Sequence, residues 1–277
     1  MFSTFKAATV LALVAVASAD DILDFFKGTE SLCDADQSQP GRCLGDAHPI
    51  KYQLSQAVAR IRTGTTGSYC TAWLWGSEGH LITNNHCVPN EIKANQTRVE
   101  FGSECSTCAD PDNNVKGACI GAIVANSTTL VFTDKSLDMT LLKLNLNPGV
   151  NLTQYGYLQS RAANASLDEQ IYILGHPRGN PKRISYLNDD GQAVRITNTS
   201  AESKCYEQDT LGYNVDTEHG SSGSPIVGVH DNEVVGLHNC GGCGINGRNT
   251  GNKMTSIVAL LKSHNLLPKD AVADNRC

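Results

Sequence analysis

No stretch of this sequence is apolar for long enough to span a bilayer, no segment repeats, and no tract is of low complexity. A transmembrane helix and a repeat array are excluded on that ground. An excess of positive charge is missing as well: the net charge is −6, which argues against nucleic acid as a principal partner. The longest apolar run, Ala7 to Ala17, follows the lone Lys6 and leads into "ASA" ending at Ala19. It has the form of a secretory signal peptide, residues 1–19, expected to be cut before Asp20. The expected product is soluble, secreted and extracellular.

Cysteine, by contrast, is plentiful. The chain has eleven, an odd number, and an exported chain of 277 residues uses such a number for disulfides. "CSTC" at 105–108 and "CGGC" at 240–243 also have the form of thiolate metal or redox pairs, but export favours disulfides. Sequons at Asn95, Asn126, Asn151, Asn164 and Asn198 are candidate glycosylation sites.

From Ala57 onward short apolar or alternating runs recur, among them "AVARI", "YCTAWLW", "HLIT", "CIGAIVA", "TLVF", "MTLLKL", "QIYILGH" and "EVVGLH", separated by turn-rich stretches such as "PDNN" and "NDDG". About a dozen strands at that spacing predict an all-β sandwich or barrel pair. "SIVALLKSHN" spaces Ile257, Leu260 and Leu261 as a terminal helix would. Residues 20–56 form an N-terminal arm or pro-segment, and 57–277 the main body. Its two halves, about 57–148 and 149–277, meet near the Asn145–Asn151 stretch.

"HGSSGSPIVG", residues 219–228, is a bare Gly/Ser turn that passes at once into a strand. Such a loop can expose one hydroxyl, that of Ser222, and direct the N–H groups of Gly220 and Ser222 at a developing oxyanion. A serine hydroxyl needs a base, and the base needs a third group to hold its tautomer. "HLITNNHCV" delivers His86 at the end of an apolar strand; Cys70 and Cys87 could bridge around it, a clamp worth about 3 kcal/mol. "KSLDMTLLKL" offers Asp138 at the mouth of another strand, either as a turn former or as a buried acceptor for the imidazole N–H. The chain order His, Asp, Ser separates this set from other serine hydrolase folds.

With "CTAWLWGSEGHLITNNHC", "LDMTLLKLN", "GHPRGNPKRIS", "DTEHGSSGSPIVG" and "VVGLHNCGG" in that order, the chain resembles the chymotrypsin-fold serine endopeptidases, and within them the lysyl and glutamyl endopeptidase branch. The resemblance runs from about Cys33 to the terminal helix. It implies two six-stranded antiparallel β-barrels with a C-terminal helix, His86 and Asp138 from the first barrel and Ser222 from the second. It also implies that Cys33 and Cys43 tie the arm to the 240–243 and 105–119 regions respectively. Ser221 stands where trypsin-like enzymes carry the aspartate that receives a freed N-terminus, so activation by a new N-terminus near Ala57 is not expected.

By the same resemblance, Asp216, Thr217, His219, His238, Asn239 and Gly241 are substrate-binding. Asp216 matches a trypsin-like pocket acid and would favour Arg or Lys, whereas Thr217 and His238 resemble the pair that receives glutamate. Both specificities stand, with the acidic one slightly preferred. "GINGRNTGN" lacks the distal aspartate of lysyl endopeptidases. The expected activity is peptide-bond hydrolysis through an acyl-enzyme, with no cofactor and no metal. Expected partners are peptide or protein substrates and, as a further class, proteinaceous inhibitors, bound by a monomer with no nucleic-acid or membrane partner. The rival reading is a secreted protease homologue that binds a partner without cutting it.

Overall fold

The computed structural model describes residues 35–64, 67–205, 207–242 and 249–274. The expected signal segment, Cys33, Cys243 and Cys277 lie outside the described residues. No helix among the described residues is long and apolar enough to cross a membrane.

The first half is a closed barrel of six strands in the order β2-β3-β4-β7-β6-β5. They are β2 (Val58–Thr63), β3 (Ser68–Leu74), β4 (His80–Thr83), β5 (Arg98–Phe101), β6 (Ala122–Asp134) and β7 (Met139–Leu146), all paired antiparallel. The "AIVA" of "CIGAIVA" and all of "TLVF", which read as separate strands, are parts of β6. Its pairing with β7 shifts register between Ala125 and Thr128 and again between Leu130 and Phe132. Such bulges add local twist, which lets one long strand follow the barrel wall.

The second sheet is built from β8 (Ile171–Gly175), β9 (Arg183–Ser185), β10 (Ile196–Ala201), β11 (Thr210–Tyr213), β12 (Pro225–Gly228), β13 (Val234–Cys240) and β14 (Asn249–Lys253). It gains an eighth strand, β1 (Gln39–Pro40), from the N-terminal arm. Bridges Leu187↔Ala193 and Gln170↔Arg195 bring the β10 end of the sheet back to β9 and β8. This is the expected all-β, double-barrel class. It ends in one α-helix (Met254–Ser263) that buries Met254, Ile257, Val258 and Leu261, leaving the expected Leu260 half-buried.

Alternation along β8 shows how the halves join. Ile171 and Ile173 enter a small core with Leu211, Tyr213, Ile226 and Val235. Tyr172 and Leu174 point the other way, into the large cluster that holds Trp73, Trp75 and Phe101. Successive side chains of a strand face opposite sides, so one strand serves both cores. Each large side chain buried there contributes about 1.5–3 kcal/mol of transfer free energy. The tail returns to the first barrel, where Trp75 Nε1 donates to Ala271 O at 2.7 Å.

The described part of the arm is built into the molecule. Pro40 pairs with Arg183 and Gln39 with Ile184. The Arg183 guanidinium donates to Ser38 Oγ at 2.5 Å and to Ser38 O at 2.6 Å, and meets Asp36 Oδ2 at 3.2 Å. Among the described residues four disulfides form: Cys43–Cys108, Cys70–Cys87, Cys105–Cys119 and Cys205–Cys240. Cys43 thus reaches the 105–119 region, and Cys240 is taken by Cys205.

Candidate active site

β4 and β7 lie side by side, with Thr83 opposite Thr140. Continuing that register past the strand ends sets His86 against the Leu137–Asp138 turn. The turns are laced together: buried Asn84 donates through Nδ2 to Asp138 O at 2.9 Å, and the His86 N–H donates to Asp138 Oδ1 at 2.9 Å. Asp138, 2% exposed, adopts φ +40°, a region that aspartate tolerates better than most residues. Its second oxygen, Oδ2, lies 2.7 Å from His86 Nδ1. A carboxylate accepts only, so Nδ1 carries the proton and Nε2 is the basic nitrogen. The Cys70–Cys87 disulfide packs beside this imidazole, with both sulfurs and a ring nitrogen within 4.8 Å of one another.

The Gly/Ser turn is held from both barrels. The Thr71 N–H of β3 donates to Ser222 O, and the Gly223 N–H donates to His238 O of β13, each at 2.9 Å. Gly220 has φ +103° and Gly223 φ +87°. A Cβ on Gly220 would come within 2.6 Å of His176 O, and one on Gly223 within 2.2 Å of Thr71 O. Glycine is required at both for conformation and for space. The Gly220 N–H meets no acceptor among the described residues. Ser221 closes a turn with Glu218, its N–H donating to Glu218 O at 2.8 Å and its Oγ accepting from the Glu218 N–H at 3.2 Å.

His86, His219, Gly220 and Ser222 line one cleft of about 720 Å³ between the barrels. Asp216, Thr217, His238, Asn239 and Gly241 do not line that cleft; all five are buried in the second barrel behind the turn. Asp216 Oδ2 accepts from the Gln37 N–H of the arm at 2.7 Å. The Thr217 hydroxyl is buried with no partner among the described residues. Tyr213 Oη donates its one proton to Thr250 O at 2.9 Å, which leaves His238 Nδ1, 2.6 Å away, as the donor to Tyr213. The five sequon asparagines lie at the surface, Asn198 half-buried and the others exposed.

Sequence reasoning missed three sets of residues here. Thr71 read as one more strand threonine. Gln37 and Asp36 gave no sign of reaching residues 216 and 183. Lys93, Lys116 and Arg178, which also line the cleft, come from separate loops or helix ends.

The family model of the lysyl endopeptidase C-terminal domain matches residues 33–255. The class defined by fold and family is the chymotrypsin-fold serine proteases. Within it the chain belongs to the lysyl endopeptidase C-terminal domain family. It is similar to "Secreted RxLR effector protein 73" of Plasmopara viticola, 39% identical over 246 residues; the match covers 87% of this chain and 58% of that relative. It also superposes on the active form of the Rv3671c protease from M. tuberculosis with a TM-score of 0.55 and 18% identity, covering 84% of this chain and 91% of that one. The inactive form of Rv3671c protease gives a TM-score of 0.55 at 18% identity, covering 81% and 96%. Those likenesses establish the fold.

Proposed function

We propose that this protein is a secreted serine endopeptidase that cuts peptide bonds through an acyl-enzyme. The observation that carries the reading is the 2.7 Å contact of His86 Nδ1 with the buried Asp138 carboxylate, in a cleft that His86 shares with Ser222. In the proposed reaction Ser222 Oγ attacks the carbonyl carbon and its proton passes to His86 Nε2. Asp138 stabilises the imidazolium, and the N–H groups of Gly220 and Ser222 hold the oxyanion. His86 then protonates the leaving amine; in the second half its Nε2 takes a proton from the water that attacks the ester carbon and returns it to Ser222 Oγ as the acid leaves.

Past Leu237, β13 no longer pairs with β12. Asn239 to Gly241 are proposed to pair there with the backbone of the segment that becomes the acyl group. An acidic side chain before the cut is favoured. The Asp216 carboxylate already accepts from the arm, while the unpartnered Thr217 hydroxyl and the Tyr213-oriented His238 are suited to an anion. Ser221, committed to its turn with Glu218, fits an enzyme that needs no new N-terminus at Ala57. The four disulfides and the secreted relative support export.

The relative's description as an effector gives the non-cutting reading a specific rival form. A phosphonylating active-site reagent separates the two. Stoichiometric labelling at Ser222, with Ser222→Ala lowering turnover by roughly 10⁶, supports the peptidase. An unlabelled folded protein supports the binder. Profiling on a mixed peptide library, wild type against Ser222→Ala, reads the side-chain preference directly.

A further inference from the structure

We propose that the cleft beside His86 and Ser222 is a cationic subsite for the substrate segment that leaves as the amine, and that it selects Asp or Glu within the first three residues after the cut. This rests on the peptidase reading above.

The placement follows from chemistry and connectivity. The acyl side of the substrate is assigned to Asn239–Gly241 and to Thr217 and His238, none of which lines the cleft. The cleft opens instead toward the first barrel, past His86, the Cys70–Cys87 disulfide and Tyr69. His86 is the residue that protonates the departing nitrogen, so the departing chain runs on its side.

The charge of that cleft has one sign. Lys93, Lys116 and Arg178 line it, and no Asp or Glu does. Arg178 is already paired with Glu218, a carboxyl that burial pushes above its ordinary range. Lys93 and Lys116 have no carboxylate partner among the described residues. Lys93 projects from the short helix Glu91–Asn95 across Gly64, and Lys116 Nζ stands 5.5 Å from the centre of the Tyr69 ring. Two unpaired cations in a concave cleft, facing into the substrate's path, favour an anionic segment there.

The test uses quenched peptides identical up to the cut and carrying either Glu or Lys at the first, second or third position after it. In wild type, kcat/KM for the best Glu peptide should exceed that for its Lys counterpart roughly three- to tenfold, and the ratio should shrink as salt is raised. In the double variant Lys93→Glu/Lys116→Glu the ratio should fall to one or below. Because the ratio is taken within each protein, a general loss of activity does not affect it. Ser222-dependent cleavage with a wild-type ratio of one, or with the same ratio in the double variant, overturns the subsite and leaves the peptidase reading intact. If no peptide is cut, the peptidase reading falls. Fluorescence anisotropy with the same peptides then decides the subsite, which is overturned if Glu and Lys peptides bind alike.

Discussion

Thr71 donates its hydroxyl proton to Gly220 O at 2.7 Å while its backbone N–H holds Ser222 O at 2.9 Å. A buried threonine of the first barrel thus fixes both ends of the turn that, on the proposed mechanism, forms the oxyanion hole in the second. The same hydroxyl accepts from the His176 N–H at 3.0 Å, so its orientation is determined. Thr71→Val keeps the shape and the strand preference but removes the hydroxyl. Its kcat should fall roughly 10- to 100-fold, the cost of a slightly misplaced donor, with KM little changed. Thr71→Ser should recover most of the loss. Steady-state kinetics alongside thermal melts checks this; a Val variant with wild-type kcat would overturn the role.

Asp138→Asn should be more damaging than its size suggests. An amide in place of the carboxylate can present an N–H to His86 Nδ1, which places the imidazole proton on Nε2 and leaves no base for Ser222. A fall in kcat of about 10⁴ at neutral pH is expected, with the fold retained. Circular dichroism paired with turnover is the measurement. A loss under tenfold would show that His86 does not depend on this acceptor.

The catalytic candidates were legible because each sits in a local pattern with its own physical logic. "HGSSGSP" needs glycines where φ is positive, and "HLITNNHC" ends an apolar strand at a histidine beside a half-cystine. The antiparallel β4–β7 pairing then brings His86 to Asp138. Thr71 was not legible, because its work is done on residue 220, which lies 149 positions away. Nor was the arm: Gln37 meets Asp216 across 179 positions through a backbone N–H, which leaves no trace in residue type. Lys93, Lys116 and Arg178 come together only when loops from both barrels fold around one cleft.

His176 sets an expectation for acid. It is fully buried, and its Nδ1 lies 3.0 Å from Asn180 O, so that nitrogen donates. Its Nε2 has no partner among the described residues. Burial, with Arg60 and Lys182 nearby, holds its pKa well below the ordinary histidine range. The unfolded chain takes up a proton near pH 6.5 and the folded chain resists it, so stability present above that pH is lost as pH falls toward the folded pKa. Melting temperature should drop between pH 6.5 and 5, and His176→Gln should flatten that part of the profile. Parallel curves for the two proteins would show that other groups carry the acid sensitivity.

The Cys43–Cys108 bridge spans 65 positions and fastens the arm to the first barrel while Asp36, Gln37 and Ser38 hold it to the second. On the chain-entropy account, opening a loop of that size costs about 4 kcal/mol. Cys43→Ser/Cys108→Ser should therefore lower the denaturant midpoint markedly. It should do so without changing the order of strands, because β2 to β14 keep their own pairing. The arm also supplies the N–H that meets Asp216. Loosening it removes one hydrogen bond from the Asp216 carboxylate, which should shift the preference before the cut toward basic side chains. Cleavage of paired peptides ending in Glu or Lys before the cut, measured in native conditions where the variant is folded, reads that second effect independently of stability. An unchanged Glu-to-Lys ratio in a folded, destabilised variant would mean that the arm braces the fold and has no part in side-chain selection.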